Sequence, residues 1–325
     1  MSTLAAQLSA TCTSDAFGAR MCASLTATSV SMLLYALVLA AVVAGRRGVD
    51  VDETLRSAFF TFTLSNGAAD ALEFLRSWLA AKLRFWGWFF DEYAALDPFL
   101  SKFGASFGVE LVLTQLVGIA VICANRFTAI VVPLRHNKLW TKRTVRACLL
   151  LQWLPPALLV PFALPERREF HRLPNSSYVG QYEEHTRHAF VYVLLPVVIL
   201  SITLFVTALY VVMLWHLIAR RGHDATWSSA QRLELKLAAC ASASVGCCFL
   251  YVVLGVLMMA TGGAARWQTL LALQQDLFVC HNPYALLVTS ATVRRRCRAL
   301  LDCSSAKGSS IAALQPTFAS RTKHR

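Results

Sequence analysis

The chain is 325 residues long, 56% hydrophobic and 15% charged, with a mean hydropathy of +0.52 and a formal net charge of +13. Soluble domains devote about a quarter of their residues to charge, so this composition excludes an ordinary water-soluble globular protein. The basic residues are scattered through short loops between apolar runs, with no aromatic-basic recognition module, so the charge points to lipid headgroups and not to nucleic acid.

A hydrocarbon core about 30 Å thick takes roughly 20 apolar residues per helix. Seven windows qualify, near 24–45, 57–80, 103–131, 144–164, 188–219, 235–261 and 267–291. They predict an all-α membrane protein, a seven-transmembrane helix bundle in one domain over 1–303. With the loops after spans one, three and five and the carboxyl tail inside, Lys and Arg divide 21 to 10 and Asp and Glu 6 to 12. That is +15 inside and −2 outside, which restores the total of +13. The positive-inside rule then places the amino terminus outside and the tail in the cytosol.

The amino terminus is polar, so no cleavable signal peptide is expected. Cys12 and Cys22 precede the first span, and Cys123, Cys148, Cys240, Cys247 and Cys248 lie in apolar runs, where packing is their plainest role. In span two Asn66, Asp70 and Glu73 recur on one helical face, which predicts that this face looks inward. Arg76 stands one turn from Glu73 and offers it a local partner. The segment RFWGWFFDEY, Arg84 to Tyr93, reads either as an interfacial lid or as a loosely packed loop.

Span three carries the most information. It opens on GASFG, Gly104 to Gly108, which satisfies the GxSxG hydrolase pattern with Ser106 as nucleophile. A nucleophile elbow needs a strand, a tight turn and a helix. This Ser opens a membrane helix, so small-residue packing against a neighbouring helix is the expectation, and no enzyme. Glu110 and Gln115 follow, and the span closes on Asn125, Arg126, Phe127, then Pro133 and a basic loop ending in Trp140. An arginine at the end of a membrane helix is costly enough to suggest a conformational switch. At 1.5 Å per residue Glu73 and Glu110 lie roughly 10 Å below the outer surface and Asp276 of span seven roughly 13 Å, so the three are candidate lining of one ligand cavity.

The loop between spans four and five holds an N-glycosylation acceptor, Asn175, Ser176, Ser177, which the orientation puts outside. His171, His185 and His188 with Glu183 and Glu184 offer metal ligands there, although loop histidines are usually just solvated. No metal or cofactor is expected. After span seven, VRRRCRALLDC sets Val293, Cys297, Leu300 and Leu301 at helical spacing, which suits a short helix on the inner leaflet with Cys297 and Cys303 as palmitoylation sites, or a plain stop-transfer cluster. From Ser304 to residue 325 the chain is small, polar and basic, and a disordered cytosolic tail is expected.

Seven spans, an outside amino terminus and Arg126 at the inner end of span three resemble a G-protein-coupled receptor. NRFTAIVVPLRHNKLW is similar to the nematode serpentine chemoreceptors, most of all class gamma, and so is the close of span seven, His281, Asn282, Pro283 and Tyr284. The resemblance implies a chemosensory receptor in the plasma membrane, at sensory-neuron cilia, that binds a small-molecule ligand and signals through a heterotrimeric G protein. It implies a switch built from Asn125, Arg126, Asn282, Pro283 and Tyr284. Three departures stand out. Asn125 replaces an acid, so it is not expected to hold the guanidinium as a carboxylate would, and span six lacks both proline and tryptophan. Tyr284 follows Pro283 directly. Glu234, at the cytosolic start of span six, is the candidate resting partner of Arg126, with Arg232 and Lys236 as its competitors. A ligand-gated channel or transporter using the intramembrane carboxylates is the alternative, although internal repeats and interrupted helices are not seen.

Overall fold

The computed structural model of the chain describes residues 14–47, 53–82, 99–163, 168–172, 178–182, 195–221, 242, 244–250, 252–254, 256–257 and 265–313. Helix α1 is Ser14–Arg47, and a 3-10 turn, Glu53–Arg56, leads into α2, Ala58–Arg76, which continues as a π-helical segment, Ser77–Lys82. Helix α3 is Phe99–Val131, α4 Pro133–Leu139 and α5 Lys142–Ala163. After a β-hairpin come α6, Leu195–Arg221, the apolar helix α7, Ser244–Leu254, then α8, Ala265–Thr289, and α9, Ala291–Ala313.

Three of these helices are long and apolar enough to cross a hydrocarbon core by themselves: Thr26–Arg47 in α1, Ser106–Val131 in α3 and Val197–Ala219 in α6. Helices α2, α5 and α8 are less apolar because they carry the interior polar side chains, Asp70 and Glu73, Gln152, and Gln274 to Asp276. Helix α3 stands at the centre and packs on α2, α5 and α6. One apolar cluster joins Leu116, Ile119 and Cys123 of α3 to Ile199 and Val206 of α6, Cys248 of α7 and Phe278 of α8. A second joins Val38 and Val42 of α1, Leu55, Phe59 of α2 and Leu286 of α8 to Val293 and Cys297 of α9. Leu204, Phe205, Val211 and Trp215 of α6 are exposed, a face that suits hydrocarbon and not water.

Two expectations need correction. The segment between α5 and α6 holds a hairpin, Arg168–Arg172 paired antiparallel with Tyr178–Tyr182, so among the described residues the fold is helical with one small sheet. Phe170 in the first strand and Tyr178, Val179 and Tyr182 in the second are aromatic or β-branched residues, which favour strands. Helix α9 runs through Ala313, past the Ser304 boundary of the expected disordered tail, because extending a helix already nucleated avoids the cost of starting one. Ser290 caps it, its hydroxyl accepting from the Val293 N–H at 3.3 Å.

Candidate functional site

The interior polar side chains form three tiers along α3. The first, nearest the start of α3, is built on Glu73, which is fully buried. Its carboxylate accepts from Arg76 Nε at 2.6 Å and Nη2 at 2.5 Å, and Gln275 Nε2 of α8 donates to it at 2.9 Å. Arg76 Nη1 donates to the Gly104 carbonyl at 3.1 Å. A Cβ at Gly108 would stand 2.9 Å from the guanidinium carbon, so the absent side chain leaves the room that Arg76 fills. The two glycines of GASFG, one turn apart, therefore form a notch for a side chain of α2. The small-residue reading is right in kind, but the guest is an arginine.

Glu73 is thus a pin between α2, α3 and α8, and the expectation that it lines an open cavity is corrected: its oxygens are occupied. Glu110 of α3 and Asp276 of α8 are half-buried. The Gln275–Glu73 bond sets this stretch of α8 level with the end of α2.

The middle tier centres on Asp70, 1% exposed. Tyr35 of α1 donates its hydroxyl to Oδ2 at 2.5 Å, Asn282 Nδ2 of α8 donates to Oδ2 at 2.8 Å, and Gln115 Nε2 of α3 donates to Oδ1 at 2.7 Å. One carboxylate ties four helices, and bonds to an ionised acceptor are the strong kind. Gly67 makes the approach of α1 possible, since a Cβ there would meet Leu39 at 2.7 Å and the Tyr35 hydroxyl at 3.1 Å. Below lies a cavity of about 30 Å³, lined by residues including Asn66, Ile119, Ser244 and Asn282, a volume that holds one or two waters. Asn66 Oδ1 is buried without a protein partner, which favours such a water. On the far side of α3, Ser65 bridges Gln152 Oε1 at 2.8 Å and Trp153 Nε1 at 2.9 Å of α5.

His281, at the same level, links α7 to α8. The Phe278 carbonyl, 2.7 Å from Nδ1, can only accept, so Nδ1 carries the proton and Nε2 accepts from the Ser244 hydroxyl at 2.6 Å. Gln274 Nε2 adds a bond to the Cys247 carbonyl at 2.9 Å. Tyr284, 45% exposed, shares a 2.8 Å hydrogen bond with Ser31 of α1. It fastens α8 to α1 from the rim, and Asn282 rather than Tyr284 enters the hub. Pro283 lies inside α8, where it removes one backbone donor.

The last tier is Arg126, 5% exposed and about 8 Å before α3 ends. Its Nη2 donates to Asn125 Oδ1 at 2.7 Å, and its guanidinium carbon stands 4.3 Å from the centroid of the Phe59 ring. Asn125 gives a neutral hold in place of a carboxylate's, its amide oxygen accepting while the Phe59 ring face adds a cation–π contact. Glu234 and Asn175 lie outside the described residues.

Beyond Arg126 the chain folds back. Pro133 occupies the first turn of α4, where its missing N–H costs nothing. Trp140 returns its indole N–H to Thr128 Oγ1 at 2.7 Å and packs edge-on against Phe62 of α2 at 5.4 Å. His136 Nδ1 shares the same hydroxyl at 3.0 Å. Leu134 is left 93% exposed, with Arg135 and Lys138 also exposed.

Cys297 is 5% exposed in the α1–α9 core, and burial pushes its thiol pKa up. The helical spacing is as read, but that face covers α1, so palmitoylation of Cys297 is corrected: the thiol is enclosed and its thiolate disfavoured. The side chain of Cys303 lies outside the described residues. Among the described residues no group of three His, Cys, Asp or Glu side chains has metal-holding geometry.

A helical bundle whose charged side chains are buried in pairs and hubs while its apolar side chains face outward is a multi-pass membrane protein. The description that matches the chain, over residues 25–303, is the serpentine type 7TM GPCR chemoreceptor Srv. The chain belongs to this family, which is one of chemoreceptors and not of enzymes. The match is to Srv and does not carry class gamma. No curated protein matches the chain.

Proposed function

We propose that the chain is a seven-span chemosensory receptor of the plasma membrane, with its amino terminus outside and its tail in the cytosol, that binds a small extracellular molecule and activates a heterotrimeric G protein. The observation that carries this reading is the cytosolic end of α3. A buried arginine held by an amide and an aromatic ring sits directly before a short basic helix that is tied back to the bundle by Trp140 and presents Leu134 outward. A ligand that binds one of two states more tightly shifts the population toward the state in which the arginine is released. Leu134 with its cations then suits a partner that offers an apolar pocket rimmed by acids.

Glu110 and Asp276 are the ligand-lining residues in this reading, with Glu73 fixing the wall between them. Glu234 remains the proposed resting partner of Arg126 from span six. Sensory cilia and class gamma rest on the likeness of NRFTAIVVPLRHNKLW and the close of span seven alone. A cation path through the carboxylates is disfavoured, because Asp70 and Glu73 are already saturated by donors from neighbouring helices. The topology is tested with an epitope on the amino terminus of cells expressing the full chain. Staining without permeabilisation is expected, with loss of glycan mass in Asn175→Gln. Staining only after permeabilisation contradicts the orientation.

A further inference from the structure

The start of α5 carries a second charged feature that signalling through Arg126 does not use. From Leu111 through Pro165 the chain holds no Asp or Glu, while it holds six cations, Arg126, Arg135, Lys138, Lys142, Arg143 and Arg146. Arg126 is buried, and Arg135 and Lys138 belong to α4. Lys142, Arg143 and Arg146 open α5 and are exposed, and among the described residues none of the three has an ion pair or a side-chain hydrogen bond. Helix α5 turns one face inward, where Gln152 and Pro156 are buried and Gln152 accepts from Ser65 of α2. Arg143, Arg146, Leu150, Leu154 and Leu158 recur at steps of three and four residues on the opposite face, all exposed.

The packing on α3 fixes the depth of these cations. Gln152 Nε2 stands 2.5 Å from where a Cβ of Gly118 would be, and Trp140 bonds to Thr128, so α5 runs antiparallel to α3. At 1.5 Å per residue Arg146 lies about 9 Å and Arg143 about 13 Å from Gln152, which brackets the level of Arg126, about 12 Å from Gly118. The apolar stretch of α3 ends at Val131, about 20 Å from Gly118. Both arginines therefore face outward short of that end, where a cation is costly unless it reaches an anion. In the orientation proposed above, on which this assignment of leaflet rests, the anions at that depth are the headgroups of the inner leaflet, the one rich in acidic lipid. Planar guanidinium forks match phosphate oxygens two at a time, and Lys142, Arg143 and Arg146, spread over about 6 Å of helix, match a headgroup with phosphates at more than one position. The leucines that continue the stripe call for an apolar tail on the same ligand. We propose that the outward face of α5 binds one inner-leaflet polyphosphoinositide, its phosphates on Lys142, Arg143 and Arg146 and its acyl chains along Leu150, Leu154 and Leu158. A lipid held there steadies the start of α5, and with it the Trp140 turn that ties α4 to the bundle.

The test is the binding of acyl-chain-labelled phosphatidylinositol bisphosphate to the full chain in neutral detergent, read by anisotropy. Arg143→Gln and Arg146→Gln, both at exposed positions, should each weaken binding about fivefold, the factor that corresponds to about 1 kcal/mol per basic residue. Arg146→Lys should retain most of it, and Arg298→Gln, an exposed cation removed from α9, should leave it unchanged. Unaltered binding in both Arg143→Gln and Arg146→Gln overturns the site. Equal weakening in Arg298→Gln, or equal competition by phosphatidylserine at the same concentration, overturns it in favour of diffuse attraction. Competition by inositol trisphosphate as tight as by the unlabelled lipid overturns the role of the leucine stripe and the lipid source with it. Because the measurement needs neither orientation nor signalling, its failure is separate from failure of the receptor reading.

Discussion

Replacing Asp70 with Ala removes the acceptor of three donors at once: the Tyr35 hydroxyl and the amides of Gln115 and Asn282. A buried donor left unpaired costs about 1–3 kcal/mol, and the three share one acceptor, so the losses are not additive. A loss of about 3–6 kcal/mol is expected. Asp70→Asn is milder for a specific reason. Gln115 Oε1 is buried and makes no hydrogen bond, so a flipped Gln115 amide can accept from the NH₂ of the introduced asparagine, whose oxygen keeps facing Tyr35 and Asn282. Three charge-assisted bonds become neutral ones, at a cost of about 1–3 kcal/mol. The assay is thermal unfolding in detergent with a thiol-reactive dye, which the buried Cys123, Cys247, Cys248, Cys280 and Cys297 report as they become exposed. At about 2 °C per kcal/mol for a chain of this size, Asp70→Ala should melt at least about 6 °C below the parent, with Asp70→Asn between them. If Asp70→Ala melts with the parent, or Asp70→Asn is the less stable of the two, the hub does not hold the helices as argued.

Further outcomes follow from the other tiers. Gly108→Leu should displace Arg76 and destabilise the receptor by several degrees in the same assay, with Gly108→Ala smaller in effect, whereas a catalytic role for GASFG would leave stability intact and single out Ser106. Asn125→Ala should raise ligand-independent second-messenger output a few-fold, since losing a hydrogen bond of about 1 kcal/mol shifts a two-state population roughly fivefold; unchanged basal output removes Asn125 from the resting hold. Glu110→Gln should shift ligand potency at normal surface expression, and unchanged potency in both Glu110→Gln and Asp276→Asn takes these residues out of the site. Because burial raises the Cys297 thiol pKa, its alkylation in the folded protein should accelerate with pH only above the range of an exposed cysteine. Labelling in mildly alkaline buffer as fast as a surface thiol contradicts the docked α9.

What the sequence made legible was local. The Glu73–Arg76 pair follows from one-turn spacing, and the inward face of α2 from the period of Asn66, Asp70 and Glu73. The hub was not legible, because Tyr35, Gln115 and Asn282 stand 35, 45 and 212 residues from Asp70, and no helical period links separate helices. His281 and Ser244 were missed for the same reason. A usable signal for the hub did exist: Tyr35, Gln115 and Asn282 are polar groups within apolar runs, each needing a partner, and Asp70 is an intramembrane acceptor without a cation one turn away. For α9 the spacing indicated the correct face and the wrong neighbour, since Val293 and Cys297 cover α1 instead of lipid. The hairpin escaped because two five-residue strands carry too little alternation to register beside spans several times their length.

The most direct test of the receptor reading is nucleotide exchange on purified heterotrimeric G proteins by the full chain reconstituted in lipid nanodiscs, compared with Arg126→Ala and Leu134→Ala at matched melting temperature. The account predicts that the parent accelerates exchange on at least one heterotrimer, that a cognate small molecule increases the rate, and that both variants abolish or sharply reduce it while remaining folded. Exchange carried equally well by Arg126→Ala, at the same ligand response as the parent, would contradict it.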